Sequence, residues 1–369
     1  MKAAILKSFG APLAIETLPE PLLGTGEVIV DVVAAPVLPY ANEVFSGERR
    51  YLLTPPVAPG CGAVGRVRAV GPDATRLAPG DWVFCDPTVR SRDGGLSPDI
   101  TLQGWSARGE GGQRLQKHFH HGSFAERIRV PTENAHPLGP LDDAEAARWC
   151  ALVTLLVPYG GLLKAELRAG ETVLISGATG NFGSAAVAVA LAMGAGCVIA
   201  PGRNETVLED LKRRFGPRVR TVKLGGQEEE DRERMRRAAP GPIDCVMDLL
   251  PPSASTLPVR AALMTVRPYG RAVLMGGVGM LGGGPGAALP VDHAQLHHPA
   301  RAVDVPTRGR PPHGQPRPLR APAAGGVRRH GLRPGRRERG RHARGRPRRR
   351  LQADGAAAVS RTGTEGISR

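Results

Sequence analysis

The sequence is short of several things that would mark a secreted, disulfide-stapled or membrane-spanning chain. It has five cysteines, Cys61, Cys85, Cys150, Cys197 and Cys245, an odd number with no C-x-x-C pair. That pattern excludes a disulfide scaffold and a four-cysteine zinc lobe, and it fits a reducing cytoplasm. The most apolar stretch, Ala185 to Ala200, is broken by Gly194 and Gly196. At about 16 residues it falls short of the roughly 20 needed to span a bilayer. The apolar run after Met1-Lys2 is too short for a signal peptide. Aromatic residues are 4% of the chain, and none lies beyond residue 290. A cytoplasmic protein with no membrane segment is expected.

What is present is 369 residues, 41% hydrophobic, with a formal net charge of +16. The length predicts two domains, and the hydrophobic content is enough for a real core. The charge is uneven. Residues 1–290 carry 31 Lys and Arg against 29 Asp and Glu, whereas residues 291–369 carry 19 Arg, no Lys and 5 acids. The basic character therefore belongs to the tail, which weakens a reading of the whole chain as a nucleic-acid binder.

Residues 1–140 read as β-rich. Val28–Val33 and Gly65–Val70 are bounded by Gly and Pro, the second alternating Arg with Val as a strand with one wet face does. Pro79-Gly80-Asp81 is a turn leading into the strand Trp82–Phe84, and the polar, Gly-rich residues 86–117 predict a long surface loop. Asp142-Asp143-Ala144-Glu145 forms the acidic first turn of a helix running through Trp149. From Glu171 strands alternate with helices: strands at 172–176, 197–200, 219–224, 243–247 and 271–275, helices at 182–193, 204–215, 228–238 and 255–266. Such alternation implies a parallel sheet covered by helices on both faces.

The strongest local signal is Gly177-Ala178-Thr179-Gly180-Asn181-Phe182-Gly183, a tight turn between the strand ending at Ser176 and the next helix. Gly180 lets the backbone approach a pyrophosphate, Gly183 lets the helix pack on the strand, and the helix N-terminus faces the anion. The next strand ends in Gly202-Arg203-Asn204 with no acid for a ribose 2′-OH. Gly202 leaves room for a 2′-phosphate and Arg203 is suited to pair with it, which favours NADP(H). The alternative for Arg203 is a solvated turn residue.

With this turn in place, further segments line up in order: Gly24-Thr25-Gly26-Glu27-Val28, Pro59-Gly60 followed by Gly65 and Ala69-Val70-Gly71, Pro79-Gly80-Asp81-Trp82-Val83, and Gly122-Ser123-Phe124-Ala125-Glu126. On these motifs the first 290 residues resemble the medium-chain dehydrogenase/reductase superfamily of zinc alcohol dehydrogenases and zinc-free quinone oxidoreductases. The resemblance implies an α/β chain: a GroES-like catalytic domain over 1–140, a Rossmann NADP-binding domain with a doubly wound parallel sheet over 141–290, substrate between them, and a homodimer. At the positions where zinc members carry ligands, this sequence has Leu38, Cys61 and Val153. Catalytic zinc needs about three N, S or O ligands, so no metal is expected, and the resemblance is closer to the zinc-free branch. His118, His120 and His121 with Cys85 read as a solvated loop rather than a site.

The resemblance implies that Tyr40 either donates a proton or hydrogen bond to a substrate carbonyl or packs at the cleft wall. It places Thr154 at the nicotinamide pocket, Tyr159 near the cofactor, and the backbone of Gly276-Gly277-Val278 against the nicotinamide amide. Asp244 and Asp248 flank a buried strand and read as turn and edge residues. Cys61 is either structural or a reactive thiol. The implied activity is NADPH-dependent hydride transfer to a quinone, enone or small carbonyl compound. An alcohol dehydrogenase-like enzyme or an inactive NADP-binding protein are the alternatives.

The strand–helix alternation stops near Pro290. The last 79 residues hold 11 Gly and 9 Pro beside the arginines, and predict disorder. A reading frame shifted near Pro290 accounts for this composition, and translating the other two frames from that point tests it. The rival is a genuine basic tail binding nucleic acid by counterion release, against which the lack of aromatics for base stacking counts.

Overall fold

The structure, a computed structural model, describes residues 1–277 and the backbone of a short strand at 302–304. These belong to one compact unit, Met1–Arg310. The first lobe is a five-stranded antiparallel sheet, made of β3 (Glu27–Ala34), β4 (Ala63–Val70), β5 (Trp82–Cys85), β9 (Arg127–Pro131) and β10 (Ala135–Pro137) in the order β10-β5-β4-β3-β9. The hairpin β1 (Lys2–Ile5) and β2 (Ala14–Thr17) packs beside it through an Ala3–Ala125 bridge. Side chains alternate across the pleat. Trp82 and Phe84 point into one buried cluster and Val83 and Cys85 into another, while Arg66 and Arg68 take the wet face as predicted.

The expected surface loop at 86–117 is not a loop. It holds β6 (Thr88–Arg90), β7 (Ile100–Leu102), β8 (Ser106–Ala107) and the helix α2 (Gly109–His118). Polar composition concealed two fully buried residues, Ile100 and Trp105, the latter in the cluster that also holds Trp82 and Phe84. Gly111 and Gly112 are not flexible linkers. A Cβ on either would overlap Asp99 or the Ile100 carbonyl, so glycine is what lets α2 lie on β7.

The second lobe begins with α3 (Asp143–Trp149) and α4 (Ala151–Lys164). Asp142 and Glu145 form a capping box at the predicted helix start. The stretch Asp143–Lys164 is long and apolar enough to cross a membrane by length and composition alone. It packs inside the protein: Ala146 and Val153 enter the first lobe's core and Leu162 the second's. The sheet follows, with β11 (Thr172–Ser176), β12 (Cys197–Gly202), β13 (Val219–Lys223), β14 (Ile243–Asp248) and β15 (Val266–Leu274) all parallel. Their spatial order is β13-β12-β11-β14-β15, so the direction of strand progression reverses between β11 and β14, the switch point at which open α/β sheets bind ligands.

Helices cover both faces. On one side Val173, Ile175, Val198, Ala200 and Met247 meet α4, α5 (Asn181–Ala192) and α6 (Glu205–Phe215). On the other, Leu174, Ile199, Val222 and Val246 meet α7 (Glu228–Ala238) and α8 (Thr256–Leu263). Asn204, where the predicted helix begins, caps α6, accepting the Val207 N–H at 3.2 Å. Residues 278–290 of the expected nucleotide domain, Val278 among them, lie outside the described residues, as does the tail except for β16 (Ala302–Asp304). That strand pairs antiparallel with β15, so this short piece departs from the disorder expected of the tail. The open edge of β15 offers unpaired backbone groups for it to bond.

Candidate active site between the lobes

The glycine-rich turn is built as its sequence spacing requires. Gly177 has φ of 83°, and a Cβ on Gly183 would overlap the Gly177 carbonyl oxygen, so both positions demand glycine. Gly180 is the N-cap of α5, leaving the first helical N–H groups directed at whatever occupies the crevice. Of the predicted cofactor residues, Ala178 turns its side chain into the core and offers only backbone. Thr179, Gly202 and Arg203 line a cavity of about 410 Å³ together with Ser176, Gly177, Ser253 and Asp231. Gly202 is fixed by packing: a Cβ there would come within 2.5 Å of Thr179 Cγ2. Asn204 is engaged as the α6 cap. The sequence reasoning missed Lys223, whose Nζ donates to the Arg203 carbonyl at 2.6 Å and lies 3.3 Å from Glu205 Oε1. It comes from a neighbouring strand 20 residues away, so only the pairing of β12 with β13 places it there.

At the switch point, Asp248 corrects the reading of it as an edge residue. It ends β14 in the middle of the sheet and is 2% exposed. The Ser176 hydroxyl donates to its Oδ1 at 2.7 Å. Its carbonyl accepts the N–H groups of Met275 (2.9 Å) and Gly276 (2.8 Å), and Gly277 N–H donates to the Leu250 carbonyl at 2.9 Å. The glycine pair is thus tied to β14. Burial pushes the Asp248 carboxyl up to about 6, against the lowering effect of the Ser176 hydroxyl and the Leu250 N–H. Asp244, at the other end of the strand, accepts the Thr172 N–H at 2.9 Å and pairs with Arg267 at 2.7 Å.

Between the lobes lies a cavity of about 370 Å³. Its wall is mainly apolar, from Leu38, Phe84, Leu102, Val153, Phe182 and Met275, and its polar groups include Tyr40, Asp86, Thr88, Arg90 and Tyr159. Two predicted residues, Tyr40 and Tyr159, line it from opposite lobes, as does Phe182. The Tyr40 and Phe182 ring centroids are 6.4 Å apart. Thr154 is not in this cavity. One residue on from Val153 along α4, it faces a second cavity of about 520 Å³ with Asn181, Ser184 and Cys150, because successive helical residues turn by about 100°.

Tyr40 is held on all sides. The Arg49 guanidinium lies 3.9 Å from its ring centroid, and Trp105 and Tyr51 meet it edge-on at 5.9 and 6.5 Å. Arg49 is itself fixed by Glu43 Oε2 at 2.9 Å and the Tyr51 hydroxyl at 3.3 Å. Burial drives the Tyr40 phenol well above its ordinary value, so it is a hydrogen donor, not a base, at neutral pH. Arg49 carries no sequence signal; α1 (Ala41–Phe45) folds it back over the ring.

Leu38, Cys61 and Val153, far apart in sequence, converge on this one cavity. Only Cys61 has a donor atom, and burial, with Asp86 nearby, pushes its thiol up to about 12. One thiol among the three positions falls short of the three N, S or O ligands a catalytic zinc needs, so this donor set does not fit one. The histidines read as a solvated loop are instead bonded. His118 Nε2 lies 2.7 Å from Glu27 Oε1, His120 Nε2 is 2.9 Å from the Pro56 carbonyl, and His121 Nδ1 accepts the Ala58 N–H at 3.1 Å. Among the described residues, no group of three or more His, Cys, Asp or Glu is placed to share a metal ion.

Residues 24–140 match the family described as the alcohol dehydrogenase GroES-like domain. An alcohol dehydrogenase of Rhizobium meliloti (strain 1021) is 35% identical over 196 residues, covering 53% of this chain and 55% of that protein. An acryloyl-coenzyme A reductase of Metallosphaera sedula is 32% identical over 199 residues, covering 53% and 57%. The chain thus spans about half the length of the curated relatives it matches. The solved structure of an alcohol dehydrogenase from Thermus sp. ATN1 superposes with a TM-score of 0.62 at 23% identity, over 79% of this chain and 80% of that one, a likeness of fold. With the glycine-rich switch point and the cleft beside it, these matches make the chain similar to the medium-chain dehydrogenase/reductase superfamily, over about half of its length in sequence.

Proposed function

We propose that this protein is an NADPH-dependent oxidoreductase that transfers hydride between the nicotinamide and a quinone, enone or small carbonyl compound without catalytic zinc. The observation that carries this reading is the convergence of Leu38, Cys61 and Val153 on one apolar cavity that also holds a protonated phenol. When bound, the nicotinamide supplies the hydride; the protein supplies binding, orientation and a proton or hydrogen-bond donor. The α5 N-terminus and the Thr179 and Gly180 backbone would hold the pyrophosphate, and Arg203 with Lys223 a 2′-phosphate. Phe182 and Met275 back the cleft and keep water out. The Tyr40 O–H faces the substrate oxygen that gains negative charge, and Arg49 keeps its ring in place.

A cytoplasmic location, a small-molecule substrate rather than nucleic acid or membrane, and a homodimer of the family's kind go with this reading. The test is twofold. NADPH and NADH binding is measured by fluorescence, and NADPH oxidation is followed with quinone, enone and aldehyde panels alongside NADP-dependent oxidation of primary and secondary alcohols, each with and without added zinc. Turnover of a quinone, enone or aldehyde, unchanged by zinc, supports the reading. Turnover of alcohols that requires zinc overturns it. Tight NADPH binding with no turnover leaves a binding protein.

A further inference from the structure

The buried carboxylate under the glycine turn has no part in the chemistry above. Asp248 sits where three strand ends meet, below the crevice between β11 and β14. Its Oδ1 takes the Ser176 hydroxyl from the last residue of β11 at 2.7 Å, and the Leu250 N–H also bonds to the carboxyl. Leu249 N–H returns to the Ser176 carbonyl at 3.0 Å. A Cβ on Gly276 would lie 2.6 Å from Asp248 Oδ2 and press on both backbone polar atoms of Leu250, so the turn after β15 closes directly on the carboxyl. On the crevice side Gly177 packs against Leu249 and Leu250, with a Cβ there 3.3 Å from the Leu249 carbonyl carbon. One carboxylate therefore joins the glycine-rich turn, the Leu249-Leu250 turn and the Gly276-Gly277 turn.

We propose that Asp248 is the positioning residue of the dinucleotide crevice, holding these three turns in one arrangement before any ligand binds. The inference rests on the reading of this crevice as the NADPH site. A neutral side chain that only filled space would not need an ionisable group in the dry middle of a sheet. Burial of an unpaired carboxylate is costly, and ionised acceptors form the stronger hydrogen bonds. The groups acting on Asp248 are the Ser176 hydroxyl from β11 and the Leu250 N–H from the following turn, with no cation among the described residues to neutralise it. Its carboxyl titrates at about 6 rather than 3.8. The folded state thus binds the proton more tightly than the unfolded chain, and the Asp248 contribution to stability is lost as pH rises through about 6. Ionised Asp248 orders the crevice while costing the fold some stability, a trade-off typical of functional sites.

The test compares the full chain with Asp248→Asn, an isostere that keeps an acceptor but not the charge. Amide hydrogen exchange at pH 7.5 should show about tenfold faster exchange in the variant at Leu249, Leu250, Gly276 and Gly277, with β3 and β4 unchanged. The difference in Tm, wild type minus variant, should fall by about 4 °C between pH 5 and pH 7.5. NADPH should bind the variant about tenfold more weakly. Equal protection at the three turns overturns the proposal, as does loss of protection spread over both lobes or a Tm difference that does not change with pH. A wild-type chain that binds neither dinucleotide overturns the cofactor reading instead, while hydrogen exchange and the Tm profile still decide the role of Asp248.

Discussion

The two ends of the crevice are built on opposite plans. At the glycine turn the groups facing the crevice are mostly backbone, and the buried acid beneath it, Asp248, is bonded by a hydroxyl and an N–H. At the cleft the groups are side chains: a half-buried phenol and a buried thiol, lining the cavity with Leu38, Phe84, Val153 and Phe182. Backbone sites tolerate many side chains but no displacement of the chain, because their donors exist only in one conformation. Side-chain sites keep their shape through packing and change their chemistry by substitution. Acid should also act on the two lobes with opposite sign: His121, in the first lobe, is pushed down to about 4 by burial and the adjacent His120, and Asp248 is pushed up to about 6.

The largest effect expected at the cleft end comes from Trp105→Ala. Trp105 is 1% exposed and braces both Tyr40 and Phe45; removing it should cost about 3–5 kcal/mol in urea unfolding. Dinucleotide binding by the folded fraction should be kept if the two ends are independent. Tyr40→Phe keeps the ring stacked under Arg49 and removes only the hydroxyl. It should lower kcat by about 100-fold with KM for NADPH unchanged; an unchanged kcat would make Tyr40 a wall residue. At the other end, Arg203→Ala should weaken NADPH about tenfold and leave NADH alone; equal effects on both would show that Arg203 is only a solvated turn residue.

The smallest effect separates the lobes by pH. His121 has a folded value below its ordinary 6.5. Its contribution is present above about pH 6.5 and lost as pH falls toward 4, by about 1 kcal/mol once solvent screening of this half-buried ring is allowed for. His121→Gln should flatten that acid loss in a Tm-against-pH series. If it steepens the loss instead, the ring is protonated in the fold and the proposed contrast with Asp248 fails.

Much of the second lobe was legible because its signals are local. The turn Gly177–Gly183, the Asn204 cap and the strand at 172–176 stand where periodicity and capping residues put them. The segment 86–117 was not legible, because its composition is polar and its glycines serve close packing rather than freedom. Thr154 was assigned to the cleft, but one step along a helix separates its side chain from that of Val153, which lines it. Asp248 was discounted because two acids on one strand look alike in sequence. One ends in a half-buried ion pair with Arg267 and the other beneath the switch point.

The sequence by itself determined the alternation of strands and helices and the glycine positions of the turn, since each depends on residues near one another along the chain. Only the tertiary structure decided which of these act together. It brought Leu38, Cys61 and Val153 to one cavity, placed Arg49 on Tyr40 and Lys223 beside Arg203, and set Asp248 among three turns. Strand order and helix packing join residues as far apart as Leu38 and Met275, and burial then fixes their protonation, which no local pattern encodes.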